Sequence, residues 1–433
     1  MENESIILEK KEQIYKKKFN NRKSKKKGKA LKYKFKSLFK SKSNEIYEQI
    51  IKENTTNNNE VDKQKIKKVR NPGIDLIRLF VQYTVIFNHM IFANNTLNRF
   101  SKHKRQILLL HSFTDWNNDV FILISGIVGY KTNKYSNLSY LWLTAFFYSV
   151  GIHKYIIYFK KNFTTKNQYM SQEYCPVIFN RYWYFTTYFG MYLFLPVINK
   201  GIANLTKGEF KLVVISTLGI LVFWREYKNP NNDIFHLNKG FSLIWFLIYY
   251  LTGAYIGKYR VDYTGIKKYI FCLAYLSIFT FASFLYYRMV NNELYIIKGN
   301  KKINLPTSLK QMLSVHSDAI LKITQSITAC LFCMQIHYNK YLAKIICFFG
   351  PLAFSVYLIH INLLILENVL KHILDDLPNN ISLNLLLSSM LGRAFKIFIT
   401  CLIIDYFRYL LFTILRIRKI LIFLEIKMKE FIK

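Results

Sequence analysis

The sequence predicts an all-α fold: a polytopic membrane protein of about ten transmembrane helices, preceded by a disordered basic tail. Three observations predict it. The chain of 433 residues is 52% hydrophobic and 17% aromatic, yet holds few glycines and prolines, a balance that soluble domains rarely carry. Its apolar residues fall in blocks of about 18 to 25, the length of a bilayer-spanning helix. The alternating ten-residue segments of a membrane β-barrel are not seen.

Each element follows from that pattern. Residues 1–70 are soluble in character, with a lysine-dominated run (KKKFNNRKSKKKGKALKYKFKSLFKSK) followed by a polar, Asn-rich stretch. No apolar h-region follows the basic start, so it does not read as a cleaved signal peptide. Such a composition does not build a core. Two readings of the tail are open: a cytosolic segment held on anionic lipid, with Tyr33, Phe35, Leu38 and Phe39 dipping into the interface, or a solvated spacer. No folded nucleic-acid module accompanies it, and no nucleic-acid partner is expected.

Ten apolar spans follow, at about 74–94, 107–131, 138–159, 181–201, 209–225, 241–258, 267–288, 316–337, 341–370 and 384–415. They make residues 71–415 one membrane domain, with 416–433 a basic cytosolic end. An even number puts both termini on one side, and both are strongly basic, which places that side in the cytosol. Of the longer loops, 289–315 is the candidate extramembrane lid or substrate-facing loop. No internal repeat pairs the two halves of the chain, which counts against a secondary transporter.

The formal charge is +37, from 62 basic and 25 acidic residues. This favours anionic partners, and lipid headgroups are the first of these for a membrane protein. The six cysteines are scattered, mostly in apolar runs. Cys330 and Cys333 form a C-x-x-C that no second pair completes. No disulfide framework and no metal site are expected.

The stretch NPGIDLIRLFVQYTVIFNHM, residues 71–90, holds the chemistry. Ionisable groups at membrane depth are costly, rare, and usually paired or functional. Arg78 and His89 are eleven positions apart, which returns to within about 20° of the same helix face, about 16 Å along the axis. Asp75 lies three residues before Arg78, close enough to pair with it. A permanently charged, forked donor there seeks a carboxylate or a phosphate. An imidazole can take a proton from a hydroxyl and return it. The alternative for both is structural: an Arg78–Asp75 pair, and a histidine satisfied by a neighbouring helix.

Ser125 and Gly126 end DVFILISG in the second span. Small residues permit close helix approach; the other reading is that they open room for a ligand beside His89. Asp119, earlier on the same run, either orients a histidine or faces the loop. The fourth span opens RYWYFTTYFGMYLFLP, whose aromatics, Trp183 among them, make an interfacial belt or line a sugar or adenine pocket. His360, in FGPLAFSVYLIHINLL, is a second intramembrane histidine.

These segments together resemble the integral membrane acyltransferase-3 family. GIDLIRLFVQYTVIFNHM is similar to its opening helix, an Asp-x-x-Arg followed by ten residues and a His, which puts Asp75, Arg78 and His89 on the motif. DVFILISGIVGY is similar to its second segment, with the Ser-Gly pair at Ser125 and Gly126. YWYFTTYFGMYLFLPVIN resembles its Trp/Tyr-rich middle helix, and FSVYLIHINLL its late segment with His360. The matches run in family order over roughly residues 71 to 415.

The resemblance implies a ten-helix enzyme that moves an acyl group, usually acetyl, from a cytosolic donor such as acetyl-CoA to a carbohydrate hydroxyl. Surface polysaccharides and lipid-linked glycans are the acceptors it implies, and microbial exopolysaccharide acetylases the nearest likeness. The chain departs from the pattern after Ser-Gly, where only Lys131 and Lys134 stand in for a basic cluster, and in its long basic tail. The expectation is a membrane O-acyltransferase in which Arg78 holds a donor phosphate or the acyl carbonyl and His89 deprotonates the acceptor. The rival expectation is a transporter or flippase for a glycan or other anionic solute, which a buried arginine and aromatic spans would serve equally well.

Overall fold

The helix Pro72–Ala93 (α1) sits between the two main apolar clusters of the protein. Its first half, Ile74, Ile77, Val81 and Val85, packs into one. Its second half, Ile86, Phe87, Met90 and Ile91, packs into the other. The start is set locally. Pro72 occupies the first turn, where the missing N–H costs nothing, and the Asn71 side chain accepts from the Gly73 N–H. Asp75 adds negative charge where the helix dipole favours it.

A computed structural model describes residues 70–132, 134–159, 170–224, 233–291, 295–298, 301–304 and 320–432. All of the expected tail except Arg70 lies outside these residues.

The described helices run in order as Lys104–Ser112 (α2), Asn117–Gly129 (α3), Tyr135–Phe159 (α4), Trp183–Asn204 (α5), Lys207–Ser216 (α6), Leu243–Tyr259 (α7) and Gly265–Val290 (α8). Then come Ile320–Gln335 (α9), Lys340–Phe349 (α10), Ala353–His360 (α11), Leu363–Asn368 (α12), Leu383–Ile414 (α13) and Ile417–Ile432 (α14). Helix α6 continues as the wider π-helical turns Thr217–Trp224.

Among the described residues the architecture is helical apart from one short antiparallel hairpin, Tyr295–Lys298 (β1) with Lys301–Asn304 (β2). This hairpin falls in the stretch 289–315, read from the sequence as an extramembrane loop.

Every one of the ten expected apolar blocks contains helix. Among the described residues, four helical stretches are long and apolar enough to cross a membrane: Pro72–Ala93, Gly265–Val290, Lys340–His360 and Leu383–Ile414. On α8 and α13 many outward side chains are apolar, including Ile266, Leu273, Phe281, Phe395, Phe407 and Ile414. In water such faces would be an aggregation liability; in a bilayer they are the lipid-facing surface. The protein is an integral membrane protein.

Two blocks are broken rather than continuous. The block 107–131 is interrupted at 113–116, between α2 and α3. The carbonyls at the break keep partners: those of Leu110 and His111 accept from the N–H groups of Phe113, Thr114 and Asp115, and that of Phe113 accepts from Trp116 Nε1. The block 341–370 is interrupted at Gly350–Leu352, where Pro351 has no N–H to give, and again after His360. Irregular backbone at membrane depth persists only where it is buried in protein or lines a cavity.

Close helix contacts rest on glycine. At Gly126, a Cβ would stand 2.2 Å from the Tyr250 carbonyl oxygen, and at Gly253 2.1 Å from that of Leu123. Helices α3 and α7 therefore touch backbone to backbone. Gly73 does the same for α1 on α9, where a Cβ would meet the Cys333 carbonyl at 2.0 Å.

Candidate active site

A cavity of about 530 Å³ opens beside α1. Arg78, Gln82, Val85, Asn88, His89 and Phe92 of α1 line one wall of it. They recur at helical spacing, so the wall is one face of the helix. Both helix breaks contribute: Asp115 from the first, with Asn117 at the start of α3 just after it, and Gly350 and Pro351 from the second.

At one end lies a charge cluster. Asp75 is fully buried. It accepts from Arg78 Nη1 at 2.9 Å and from Arg70 Nε and Nη2 at 2.6 and 2.8 Å. One carboxylate thus serves two guanidiniums, and the cluster keeps an excess positive charge. Gly350 is tight against it, where a Cβ would come within 2.5 Å of the Asp75 side chain. The structural pair that the spacing suggests is present, and the same Arg78 also faces the cavity.

Further along the same wall, His89 Nδ1 lies 3.1 Å from His360 Nε2, and His360 Nδ1 lies 2.6 Å from the Val356 carbonyl oxygen. A carbonyl only accepts, so His360 Nδ1 carries the proton. In a neutral His360 the other nitrogen, Nε2, is then an acceptor. It follows that His89 Nδ1–H donates to His360, and His89 Nε2 carries a lone pair. His360 is fully buried and outside the cavity lining; it acts on the cavity through His89.

A second charged pair lies at the His89 end. Helix α9 runs antiparallel to α1, because Asn71 Nδ2 donates to the Met334 carbonyl at 2.9 Å and Gly73 abuts Cys333. Lys322, a dozen residues earlier on α9, therefore stands beside the far half of α1. Its Nζ is 2.7 Å from Asp115 Oδ2. Tyr286 of α8 donates to the same oxygen at 2.8 Å. Both Lys322 and Asp115 line the cavity.

The remaining sequence candidates divide. Ser125 lines the cavity, its hydroxyl donating to the Phe121 carbonyl at 2.8 Å and lying 3.4 Å from the Tyr188 hydroxyl. Gly126 faces α7 and not the cavity. Trp183 lines it, edge-on to Phe241 at 4.8 Å between ring centres. Asp119 does not face a loop: it is buried and accepts from Trp245 Nε1 at 2.9 Å.

Sequence reasoning missed Asp115, Lys322, Gln82, Asn117, Tyr184 and Tyr357, all of which line the cavity. For Lys322 the signal was there. It is an ionisable residue within the span 316–337, the same criterion that selects Arg78. Buried polar groups normally find a partner. Four lining residues hold buried atoms that lack one among the described residues: Gln82 Oε1, Asn117 Nδ2 and the hydroxyls of Tyr184 and Tyr357.

Comparison with known protein families finds a match to the acyltransferase domain of the acyltransferase-3 type over residues 71–409. That range contains the whole cavity. No curated protein and no solved structure matches the chain. The excess positive charge at Arg78 and the imidazole at His89, on one face of the opening helix, thus stand in a chain that belongs to the acyltransferase-3 family of membrane acyltransferases.

Proposed function

We propose that this membrane acyltransferase moves an acetyl group from acetyl-CoA to a hydroxyl of a carbohydrate or lipid-linked glycan. The observation that carries the reading is that Arg78 and His89 line one cavity, with His89 held by His360 in the tautomer that leaves Nε2 basic.

Arg78 holds a phosphate of the donor, or its thioester carbonyl, with the fork geometry that suits either. His89 Nε2 takes the proton of the acceptor hydroxyl as its oxygen attacks the thioester carbon. The tetrahedral intermediate collapses, the C–S bond breaks, and the imidazolium returns the proton to the leaving thiolate. The products are the acetyl ester and free thiol. His360 receives the Nδ1–H bond throughout and keeps the ring in place. Both termini face the cytosol on this reading, with the basic tail on anionic lipid and ten passes between.

The test is transfer of labelled acetyl from acetyl-CoA by the purified chain in bilayers, together with mass spectrometry of surface glycans for an acetyl-sized loss when the protein is absent. General-base help is typically worth about 10²–10⁴ in rate. His89→Ala therefore loses at least about a hundredfold in kcat while still inserting. Full transfer by that variant removes His89 from the mechanism. Accumulation of unmodified solute in vesicles, with no label moved, favours the transporter instead.

A further inference from the structure

We propose that the C-terminal helix α14 is an interfacial helix that docks on an anionic phospholipid surface, its apolar stripe at the acyl boundary and its cations on the headgroups. The acyl-transfer reading gives this helix no task.

Helix α14, IRKILIFLEIKMKEFI, has no buried residue. At about 100° per residue, Ile420, Leu424, Met428, Phe431 and Ile432 fall within an arc of about 120°. Each of them is at least 49% exposed. Lys427 borders that arc on one side, and Arg418 and Lys429 border it on the other. Basic residues (Arg416, Arg418, Lys419, Lys427 and Lys429) outnumber the acidic Glu425 and Glu430. A helix of this length reaches only about 24 Å, so it is too short and too charged to span a bilayer. An apolar stripe with basic edges is instead the pattern of a helix that lies in the interface.

Position names the occupant. The exposed apolar surface of α13 runs to its last turn, at Leu411 and Ile414. Arg416, at φ 54°, then turns the chain into α14, which begins at Ile417. The stripe therefore follows directly on a lipid-facing surface. Glu425 ties α14 to the membrane domain: its carboxylate accepts from the first N–H groups of α4, Tyr135 at 3.2 Å and Ser136 at 2.9 Å. Negative charge is favoured at a helix N-terminus.

Charge separates lipid from protein as the partner. Lys429 pairs with Glu425 at 2.6 Å and Lys427 with Glu430 at 2.8 Å, and the Arg418 guanidinium lies 6.0 Å from the centre of the Tyr140 ring. These contacts leave the excess of cations in place. Long basic side chains can lay their stems along the stripe and reach headgroup phosphates. Packing stripe to stripe with a second copy would instead set the bordering cations of both helices against each other.

The test is hydrogen exchange of the full chain in nanodiscs of POPC alone or of POPC mixed with POPG. A short helix without a partner frays, so docking is read as slower exchange. Segment 417–432 is expected to exchange at least about tenfold more slowly in the POPG discs. High salt should remove most of that difference, and so should Arg418→Gln combined with Lys419→Gln. Leu424→Gln combined with Met428→Gln should speed exchange in both kinds of disc. Helix α13 is the internal control and should exchange alike throughout; should a variant misfold, the lipid and salt series on the wild type decides. Equal exchange in the two lipids, or a difference that salt leaves untouched, overturns the proposal. So does protection that survives in POPC and in the stripe variant, because a protein segment, either a second copy or residues 1–69 of this chain, then covers the stripe.

Discussion

His89 donates its Nδ1–H to His360 Nε2 across 3.1 Å, and the direction of that bond is fixed from outside by the Val356 carbonyl. The histidine pair thus behaves as a backbone carbonyl holding one ring, which holds the other. A His360→Phe variant keeps bulk but removes the acceptor, so the His89 ring is free to turn and its Nδ1–H is left unpaired. A lost buried hydrogen bond costs about 1–3 kcal/mol, so kcat should fall roughly 10- to 100-fold. His360→Gln supplies an amide oxygen in place of Nε2 and should recover part of that loss. Equal damage from Phe and Gln would assign His360 to packing alone.

Arg78 has two tasks in one guanidinium, a bond to Asp75 and a face on the cavity. Arg78→Lys keeps the charge and can still reach Asp75, but it loses the fork. We expect KM for acetyl-CoA to rise at least about tenfold, from the loss of one hydrogen bond to a charged group. Asp75→Asn should instead lower the amount of folded protein, because two guanidiniums then share one neutral amide. Steady-state kinetics and the yield of monodisperse protein separate the two outcomes.

The site was half legible in the sequence. Periodicity alone puts Arg78 and His89 on one face, because both lie on one unbroken helix. It does not bring His360 to His89, since that contact is made by the packing of α11 on α1 after more than half the chain has intervened. Hydropathy reads straight through 113–116, because a break in a transmembrane block costs nothing in apolar content when its carbonyls are taken by the turn's own N–H groups and by Trp116. Asp115 therefore went unremarked inside the span 107–131, as did its partner Lys322 inside the span 316–337. The Ser125-Gly126 pair shows the limit of a dipeptide: adjacent residues on a helix point about 100° apart, so one lines the cavity while the other packs on α7.

The α3–α7 contact is a backbone contact, and it should tolerate nothing larger than glycine. Gly253→Val places its first carbon 2.1 Å from the Leu123 carbonyl, an atom that cannot swing away. Overpacking of this kind costs about 1–3 kcal/mol or more. The variant should melt lower in detergent and yield less protein. Gly392 is the control. It lies within α13 with nothing within 4 Å of a Cβ, and Gly392→Ala should raise stability by about 0.5–1 kcal/mol through helix propensity. A Gly253→Val protein as stable as the wild type would mean that α3 and α7 sit farther apart than described.

A second ion pair, far from the cavity, makes the opposite point about buried charge. Asp405 and Arg408 of α13 are almost wholly inaccessible. They pair at 2.6 and 2.9 Å and tie into α4 through Tyr148, which donates to Asp405, and Tyr140, which accepts from Arg408. Every strong partner is within the protein, and neither residue lines the cavity. A structural pair predicts a specific pattern. Asp405→Ala strands a guanidinium and should cost about 3–5 kcal/mol. The double variant Asp405→Leu with Arg408→Met removes both charges and should recover most of that loss. Acyl transfer per folded molecule should be unaffected in the double variant. Thermal melts and transfer assays on the same preparations measure both quantities, and a folded double variant that had lost activity would give this pair a role in the reaction.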